Sequence, residues 1–498
     1  MASESVRITR RGFVALGGAA GASLLLPRGT AAAPRRAAAA DTAYVSRPDL
    51  NPPVVEVVVP AQGTAPGYLF VAPFDITAAS GTYTSTPASE SHSGPLIVDE
   101  HGEPVWFLPQ GAVTAMGLRV QQYDGRDVLT WYEGTVLGPY GGDFVIYDPT
   151  YHQVARVKAG RGRHGDLHEI LLTPQKTALI SIYREIVADL TSIGGAVDDR
   201  LVEGIVQEVD VATGRVVFEW RSPEHVGLDE SNMTNVTPAG NVDYFHLNSI
   251  DVDTDGHLLI SARHTSAVYK VHRTTGAVIW RLGGTKSDFT IDPAASFAYQ
   301  HDVRRQADGT MTIFDNNAAA PTAKTGSRGM RIALDMKKMH ASLVQEWKPG
   351  DGRTTWAMGN VQQLADGGVF VGWGTDGSLS EFDQHGALRF DARFADGQVG
   401  YRAFRFEWSA KPTGKPAMAV RQNGDGTMTV FASWNGATGI THWQICTGKH
   451  PSRMQTVVTH RRHGFETAMT MPAQSGYICV VAVDAVGQHL GTALPILV

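Results

Sequence analysis

The sequence predicts an all-β protein, a six-bladed β-propeller followed by a small β-sandwich. Segments of about forty residues repeat between positions 67 and 408, with alternating apolar and polar residues and glycine-containing turns. Helical periodicity of useful length is nearly missing after the first forty residues. The chain has 498 residues, 43% hydrophobic and 18% charged, which is enough for one large domain and a smaller one.

Residues 1–40 are predicted to be an export signal rather than part of the fold. Arg10-Arg11 and then Phe13 precede a weakly apolar, Gly/Ala-rich stretch over residues 14–26, and small-residue cleavage candidates follow at 31–33 and 38–40. This pattern resembles a twin-arginine signal and predicts a secreted or envelope-associated protein that folds before export. An ordinary secretory leader or a basic tail is the alternative.

The charge and hydropathy patterns argue against two classes of partner, nucleic acids and membranes. Residues 1–40 hold six Arg and one Glu, so their removal changes the net charge from −6 to −11. Since no basic block follows the N-terminus, we expect no nucleic-acid partner. No later stretch approaches the roughly 20 apolar residues of a membrane span, so we expect no stable membrane insertion. An acidic protein that handles an anionic substrate needs local positive charge.

The repeats share one pattern of strands and turns. The fullest copy starts at His246 and contains four short strands, one of its turns being Asp255-Gly256, a strong hairpin signal. Residues 41–66 are predicted to be an extended segment and 67–410 the propeller. Residues 224–241 lack strand character and predict a long loop between blades, a candidate lid. The other copies cover residues 67–107, 117–157, 168–220, 301–347 and 360–390.

Residues 411–498 predict a separate fibronectin-III-like sandwich with Trp434 and Trp443 in its core. A seventh blade is the alternative. This module is where we expect any contact with a cell surface or a polymer.

The chain has two cysteines, Cys446 and Cys479. Their number favours a disulfide in an oxidising compartment. Strand alternation argues against it, because Cys479 shares a face with Val481 whereas Cys446 lies opposite to Ile445. Both states stay open at this point.

Three histidines occupy one position in successive repeats. His168, His246 and His301 open the first strand of the third, fourth and fifth copies, and Asn360 takes that place in the sixth. The innermost strand of a propeller blade lines the central channel, so we expect these side chains to converge on one axis. A lone histidine in a strand is usually structural, but three in register predict a shared functional site.

A second set of polar residues ends the neighbouring strands. Arg263 and His264 end the second strand of the fourth copy, and Asn316 that of the fifth. A guanidinium beside imidazoles suits a tetrahedral oxyanion, although a surface arginine paired with a neighbouring carboxylate is the alternative. Such a cluster can bind a transition metal, or it can hold an anion while one imidazole reacts. The Arg and Asn side chains favour an anion site, whereas the carboxylates of Asp166 and Glu169 keep a metal site as the alternative.

These residues carry a resemblance to a known family. The segments FHLNSIDVDTDGHLLISARHTSAVYKV, GAVIWRLGG and YQHDVRRQADGTMTIFDNN resemble the arylsulfate sulfotransferases, exported six-bladed propellers, over most of residues 45–408. The C-terminal appendage and Asp302 differ from the enteric members and are closer to an actinobacterial branch. The resemblance implies transfer of a sulfuryl group from a phenolic sulfate ester to another phenol through a sulfohistidine. It implies no nucleotide sulfate donor, no cofactor and no metal.

The resemblance also implies roles for individual residues. His301 would be the nucleophile. His246, Asn248 and Arg263 would bind the sulfuryl oxygens, and His168 would protonate the departing phenolate. The predicted catalytic residues are therefore His301, His246, His168 and Arg263, and the predicted substrate-binding residues are Asn248, His264, Asn316 and Asn360.

Two other functions remain alternatives: a metal-dependent exported enzyme, and a ligand-binding or adhesive propeller without turnover.

A calcium loop is disfavoured. Asp251, Asp253 and Asp255 resemble the start of an EF-hand loop, but Ala262 stands where the bidentate Glu is needed, so a hairpin turn is predicted.

Overall fold

The computed structural model describes residues 44–75, 92–111, 113–135, 141–233, 241–317 and 326–498. The predicted export signal and residues 234–240 of the predicted loop lie outside these ranges. Within them, the structure has no helix of the length and apolarity needed to cross a membrane.

The prediction of an all-β fold is confirmed, with 50% of the residues in strands and 4% in helices. The helical residues of the described chain form five single 3₁₀ turns, which are Thr191–Ile193, Ser222–Glu224, Leu228–Glu230, Pro293–Ala295 and Gly374–Asp376.

Six sheets, numbered here in chain order, contain most of the strands. Sheet 1 consists of Phe404–Phe406, Tyr68–Val71, Leu96–Val98 and Pro104–Phe107. Sheet 2 consists of Thr114–Tyr123, Arg126–Thr135, Gly141–Tyr147 and Gln153–Val157. Sheet 3 consists of Ile170–Leu172, Thr177–Ala188, Asp199–Asp210 and Val216–Arg221, with Asn241–Asp243 added in parallel.

Sheet 4 consists of Leu247–Val252, Leu258–Ala262, Ala267–Val271 and Val278–Gly283. Sheet 5 consists of His301–Arg305, Met311–Asp315, Arg328–Asp335 and His340–Trp347, with Thr290–Ile291 added in parallel. Sheet 6 consists of Asn360–Gln363, Val369–Gly372, Ser378–Phe382, Leu388–Phe394 and Val55–Val59. A separate pair joins Pro73–Phe74 to Val399–Gly400.

Sheets 1 and 6 exchange strands between the two ends of this region. Phe404–Phe406 pairs with Tyr68–Val71 in sheet 1, and Val55–Val59 pairs with Leu388–Phe394 in sheet 6. Residues 67–107 and 360–390 were predicted to be self-contained copies, and this exchange was not predicted. Each exchanged strand covers a sheet edge that would otherwise present unpaired backbone groups.

Apolar cores lie between neighbouring sheets around a complete cycle. Separate clusters join sheets 1 and 2, 2 and 3, 3 and 4, 4 and 5, and 5 and 6. Leu69 and Val71 of sheet 1 also share a core with Phe370 and Phe390 of sheet 6. Because an apolar sheet face must be covered, each sheet here has a neighbour on both faces, as in a propeller-like arrangement.

Two further sheets follow, with a common core that contains Trp434 and Trp443. Asn435 binds the backbone of Phe107 through both amide atoms, at 2.9 and 2.8 Å, and the Gly436 amide donates to the Val105 carbonyl at 2.8 Å. These contacts dock the C-terminal sheets on the outer strand of sheet 1. One sheet contains Ala417–Gln422, Thr427–Ser433 and Glu466–Pro472; the other contains Gln455–Arg461, His442–Gly448, Tyr477–Val483, His489–Thr492 and Ile496–Leu497.

The segment that resembles a calcium loop connects two paired strands of sheet 4, Leu247–Val252 and Leu258–Ala262. The Lys270 ammonium lies 2.7 Å from an Asp253 carboxylate oxygen and 2.6 Å from one of Asp255. A cation of the chain itself therefore balances the acidic residues of this turn.

Candidate functional site

Unusual backbone geometry marks the start of the first strands of sheets 4 and 5. His246 has φ 57°, and a bulge follows it at the start of Leu247–Val252. Asp302, directly after His301, has φ 51° and lies in a bulge of its own. A positive φ is uncommon for residues other than glycine, and a bulge changes the direction of a side chain on a strand.

Side chains from sheets 3 and 4 form one group of rings. The His168 and His246 rings meet edge to face with centroids 4.9 Å apart, and the His246 and His264 centroids are 4.7 Å apart. His168 also stacks on Tyr183 at 5.1 Å and meets the edge of Tyr401 at 5.5 Å. The structure thus brings three of the predicted site histidines into contact.

His301 is held as one neutral tautomer. The Asn316 amide nitrogen donates to the carbonyls of Thr355 and Met358, at 3.1 and 3.0 Å, so its oxygen faces His301 Nδ1 at 2.6 Å. Nδ1 must therefore carry the proton. The backbone N–H of Met358 donates to His301 Nε2 at 3.2 Å, which requires a lone pair there. Burial, and then the positive charge of Arg263, hold the pKa of His301 well below its usual value.

His301 belongs to the same site as the ring group. The imidazoles of His246 and His168 both lie near enough to lower its pKa further. Burial, followed by the charges of His168 and Arg263, also holds the pKa of His246 well below its usual value. His246 and His301 are therefore neutral at physiological pH.

Arg263 is the cation of this site. Its Nη1 donates to His264 Nε2 at 2.6 Å and its Nη2 to the Trp356 carbonyl at 2.9 Å, while the guanidinium lies over the Tyr299 ring at 5.0 Å. Its buried Nε has no hydrogen-bond partner among the described residues. Among the described residues no carboxylate lies within ion-pair distance of this guanidinium, although the charge of Asp243 lies near enough to act on it. A partly buried cation without a direct ion pair suits an anionic ligand.

Asp243 connects two of the histidines. Its Oδ2 lies 2.5 Å from His246 Nδ1, and its backbone carbonyl accepts from His264 Nδ1 at 2.5 Å. Burial raises the pKa of the Asp243 carboxyl, and burial lowers the pKa of His264 to about 3. The sequence analysis missed Asp243. Its position three residues before His246 was the available signal, but its strand joins sheet 3 only through tertiary pairing.

The same three residues form a candidate metal site. One ligand atom each of Asp243, His246 and His264 lies within 4.8 Å of the others. However, both ring nitrogens of His264 are already bound, one to a backbone carbonyl and the other to the Arg263 cation. A guanidinium at this distance opposes a metal ion, so these side chains fit an anion better.

Below the histidines lies a buried layer of charges. The Glu169 carboxylate contacts Arg119 at 2.9 Å, Arg402 at 3.1 Å and Arg304. Asp302 contacts Arg304 at 2.8 Å and Arg402 at 3.4 Å. Burial would raise the pKa of Glu169, but the three guanidinium groups outweigh it and lower the pKa to about 2. Glu169 was considered in the sequence analysis only as a metal ligand, and the structure makes it the centre of an ion network.

His168 is fixed by a neighbour in sequence. Its Nδ1 bonds to the buried carboxylate of Asp166, which leaves Nε2 as the ring nitrogen for other contacts.

The three asparagines predicted to bind substrate are fully buried. Asn316 bonds to His301, and the Asn248 amide donates to the Gln300 carbonyl at 2.6 Å. Asn360 binds the backbone N–H and carbonyl of Ala403 at 2.9 and 2.8 Å, so it does not join the histidines. Asn360 occupies the repeat position of the histidines, but its amide forms hydrogen bonds with the backbone of a later segment of the chain. The repeat pattern did not predict this role.

Together, the propeller-like sheets and the site define a class of protein: an all-β protein that places neutral imidazoles beside a guanidinium without a direct ion pair among the described residues. A family model described as arylsulfotransferase (ASST) matches residues 119–395, more than half of the chain. The chain belongs to the arylsulfotransferase family, and its general activity is that of a sulfotransferase enzyme. The prediction of the family is thereby confirmed.

Comparison with curated proteins finds no match. Several solved structures share a low similarity with this chain. A protein of unknown function from Bacteroides caccae is 12% identical, with a TM-score of 0.40 over 68% of this chain and 98% of its own. A catalytically inactive virginiamycin B lyase from Staphylococcus aureus with quinupristin is 8% identical, with a TM-score of 0.35 over 77% and 97%. The Cps50 (Swd1) β-propeller domain of Myceliophteria thermophila is 11% identical, with a TM-score of 0.35 over 77% and 97%. No functional argument rests on these similarities.

Proposed function

We propose that this protein is an exported aryl-sulfate sulfotransferase of an actinobacterial type, a six-bladed propeller with a C-terminal fibronectin-III-like module. The cycle of cores between the six sheets supports the number of blades. The common core of the last two sheets supports the sandwich. Export is supported by the twin-arginine pattern around Arg10-Arg11.

In the proposed reaction, the lone pair of His301 Nε2 attacks the sulfur of a phenolic sulfate ester. A nitrogen–sulfur bond forms, the ester sulfur–oxygen bond breaks, and the phenolate leaves with that electron pair and takes up a proton. A second phenol then attacks the sulfur, its oxygen–sulfur bond forms, and the imidazole is released with its lone pair while the phenol proton passes to a base. Both steps move the sulfuryl group without a nucleotide donor.

One observation carries this proposal: a neutral imidazole with its proton fixed on the far nitrogen lies in the same site as an unpaired guanidinium. Asn316 holds the His301 proton on Nδ1, and the same contact stabilises the positive ring formed when Nε2 binds sulfur. Arg263 supplies the positive charge for the sulfuryl oxygens, and its buried Nε–H has no partner among the described residues. Charge of this kind, fixed before the reaction, stabilises a transition state that spreads negative charge over peripheral oxygens.

The leaving phenolate needs a proton donor. We assign this role to the imidazolium form of His168, which holds Nδ1–H against the Asp166 carboxylate and gives its Nε2 proton to the phenolate, because its ring contacts His246 within the site. His246 is then left to bind sulfuryl oxygens beside Arg263.

The experiment is an assay of 4-nitrophenyl sulfate with and without phenol, in a buffer that contains no nucleotide. We expect release of 4-nitrophenolate that accelerates with phenol, and a peptide containing His301 that carries one sulfuryl group when phenol is omitted. His301→Asn should abolish both, whereas the matched change His385→Asn, at an exposed histidine, should alter neither. Turnover by His301→Asn at the wild-type rate would exclude the sulfohistidine.

A metal-dependent enzyme is the second candidate, favoured by the proximity of Asp243, His246 and His264. Elemental analysis of the purified chain separates the two. Stoichiometric zinc, copper or iron, together with loss of activity in a chelator, would support the metal. Full activity of the chelated, metal-free chain would support sulfuryl transfer by the imidazole alone.

A further inference from the structure

A short segment, residues 355–359, crosses the site; we call it the strap. It contacts three of the site residues through its backbone. The Trp356 carbonyl accepts from Arg263 at 2.9 Å, and the Met358 N–H donates to His301 Nε2 at 3.2 Å. The Thr355 and Met358 carbonyls accept from Asn316. The strap therefore occupies the charged group and the lone pair that the proposed reaction uses.

The strap is strained at one residue. Backbone contacts hold its end and middle: the Gly359 N–H donates to the Tyr401 carbonyl at 3.0 Å, and the Thr375 N–H to the Ala357 carbonyl at 3.3 Å. Met358 has φ 67°, a conformation that costs energy for any residue except glycine. A hydroxyl contact of 2.7 Å joins Thr355 to Thr375, and Ser327 Oγ accepts the Thr355 N–H at 2.8 Å. The Trp356 side chain is 48% exposed. A strained backbone conformation and an exposed indole are typical of an element that can move.

We propose that the strap is a cover over the nucleophile that an aryl sulfate displaces. This inference rests on the proposed function. The Trp356 carbonyl stands where a sulfuryl oxygen would meet Arg263, and the Met358 N–H occupies the lone pair that must reach sulfur. An anionic substrate competes for Arg263 and lifts the strap, which frees His301 Nε2. The Tyr299 ring under Arg263 and the indole of Trp356 then offer aromatic faces to the aryl group, as rings favour one another.

The cover also explains substrate choice. A small anion such as inorganic sulfate can pair with Arg263 but has no aryl group to hold the displaced strap. A phenyl ester supplies both. We therefore expect that aromatic esters gain access to His301 and that alkyl sulfates do not.

The test measures access to His301 Nε2 without requiring turnover. The full chain is treated with diethyl pyrocarbonate, which acylates free imidazole nitrogens, and the modified peptides are quantified by mass spectrometry. The exposed His101 is the internal reference. Thr375→Val removes the hydroxyl anchor of the strap, and Thr375→Ser is the matched control that keeps it.

We expect His301 to react far more slowly than His101 in the wild type. In Thr375→Val its reaction should be about fivefold faster, the factor for one neutral hydrogen bond, and in Thr375→Ser it should be unchanged. Equal reactivity of His301 and His101 in the wild type would overturn the cover, as would equal His301 rates in all three chains. If Thr375→Val destabilises the fold, the rate for His101 and the melting curve reveal it, and the comparison within the wild type still decides.

Failure of the cover and failure of the proposed function give different results. If His301 is protected but the chain does not turn over 4-nitrophenyl sulfate, the cover is supported and the proposed reaction is excluded. If His301 is fully reactive in an active enzyme, the cover is excluded and the proposed reaction is supported.

A second, independent observation concerns the two cysteines. Cys446 and Cys479 are direct partners in adjacent antiparallel strands of the C-terminal module. Both lie on the face away from the module's core, because Ile445, Ile478 and Val480 face that core. Both are free, buried thiols in this structure. Strand alternation does not separate them, because it places both cysteines off the core face.

We propose that this pair is a redox modification site that closes to a cross-strand disulfide. Direct antiparallel partners have Cα atoms about 4.5 to 5.5 Å apart, which a disulfide spans. With a disulfide oxidant such as oxidised glutathione, one thiolate attacks an oxidant sulfur and releases one glutathione thiol. The second cysteine then attacks the mixed disulfide, forms the Cys446–Cys479 bond and releases the other. A hydrogen bond from the Cys479 thiol lowers the pKa of Cys446, which suits it for the first attack.

The full chain is incubated with oxidised glutathione, alkylated and digested without reductant. We expect one linked peptide that contains both cysteines, and a higher melting temperature of the oxidised chain that reductant reverses. Cys479→Ser should instead stop at a glutathione adduct. Two freely alkylated cysteines, or a stable mixed disulfide on the wild type, would overturn the proposal.

Discussion

Asn316 accepts the Nδ1 proton of His301 at 2.6 Å, and its amide nitrogen is held by two backbone carbonyls, so it cannot turn to offer a donor instead. This contact decides which nitrogen of His301 keeps a lone pair. Because of this contact, a charged side chain introduced at position 316 would change the pKa of His301.

Asn316→Asp should move the pH dependence of sulfuryl transfer. A carboxylate at this position stabilises the imidazolium, so the pKa of His301 rises from its lowered value. At a given acidic pH less of the imidazole is then neutral, and the acid limb of the kcat/KM profile shifts to higher pH. The profile of 4-nitrophenyl sulfate turnover measures this. Asn423→Asp, at an exposed turn, is the matched control. Superimposable acid limbs would contradict the role of Asn316.

Arg263→Lys should lower kcat/KM although the charge is kept. The guanidinium binds His264 and Trp356 through separate nitrogens and retains a free Nε–H, and a single ammonium cannot do all three. Loss of one fixed donor to the reacting group costs about 10²-fold in rate. Steady-state kinetics with 4-nitrophenyl sulfate measure the change. Wild-type kinetics in this variant would show that positive charge alone suffices.

Acid should destabilise the fold through its neutral histidines. His264 has a folded-state pKa of about 3 against an ordinary value of 6.5, so below 6.5 the unfolded chain binds a proton that the folded chain does not. Its contribution to stability falls as the pH drops from 6.5 toward 3, by about 1.4 kcal/mol per pH unit. Urea unfolding at several pH values measures the slope. In the His264→Gln variant the free energy of unfolding should depend less steeply on pH in this range, by the slope of one proton. Parallel curves for the variant and the wild type would contradict a neutral His264.

Glu169→Gln should strongly destabilise the protein. The substitution leaves Arg119, Arg304 and Arg402 with Asp302 as the remaining carboxylate of this layer among the described residues. Loss of one partner from a buried ion network costs about 3–5 kcal/mol.

The matched control is Glu56→Gln, which removes an exposed ion pair of 2.9 Å with Arg393 and should cost at most about 1 kcal/mol. The free energy of unfolding in denaturant measures both variants. Similar small losses would show that the buried layer does not stabilise the fold.

The repeat pattern predicted that two of the histidines come together. Since one strand position recurs in each repeat, His168 and His246 were expected to meet, and their rings are in contact. The same rule failed to describe Asn360, because an amide at that position satisfies the backbone of Ala403 rather than the site. Periodicity predicts the position of a residue on its strand, whereas its hydrogen-bond partners in the folded protein determine its role.

The sequence by itself determined the all-β class and which histidine and arginine side chains come together, because strand periodicity and turn residues are local signals. The family followed from the resemblance of particular segments to known sequences. Only the tertiary structure decided how the ends exchange strands between sheets 1 and 6, that Asp243 joins two histidines, and that the strap of residues 355–359 lies on His301. These contacts join residues far apart in the chain or depend on backbone conformation. The free energy that selects them comes from packing and hydrogen bonding in the folded state.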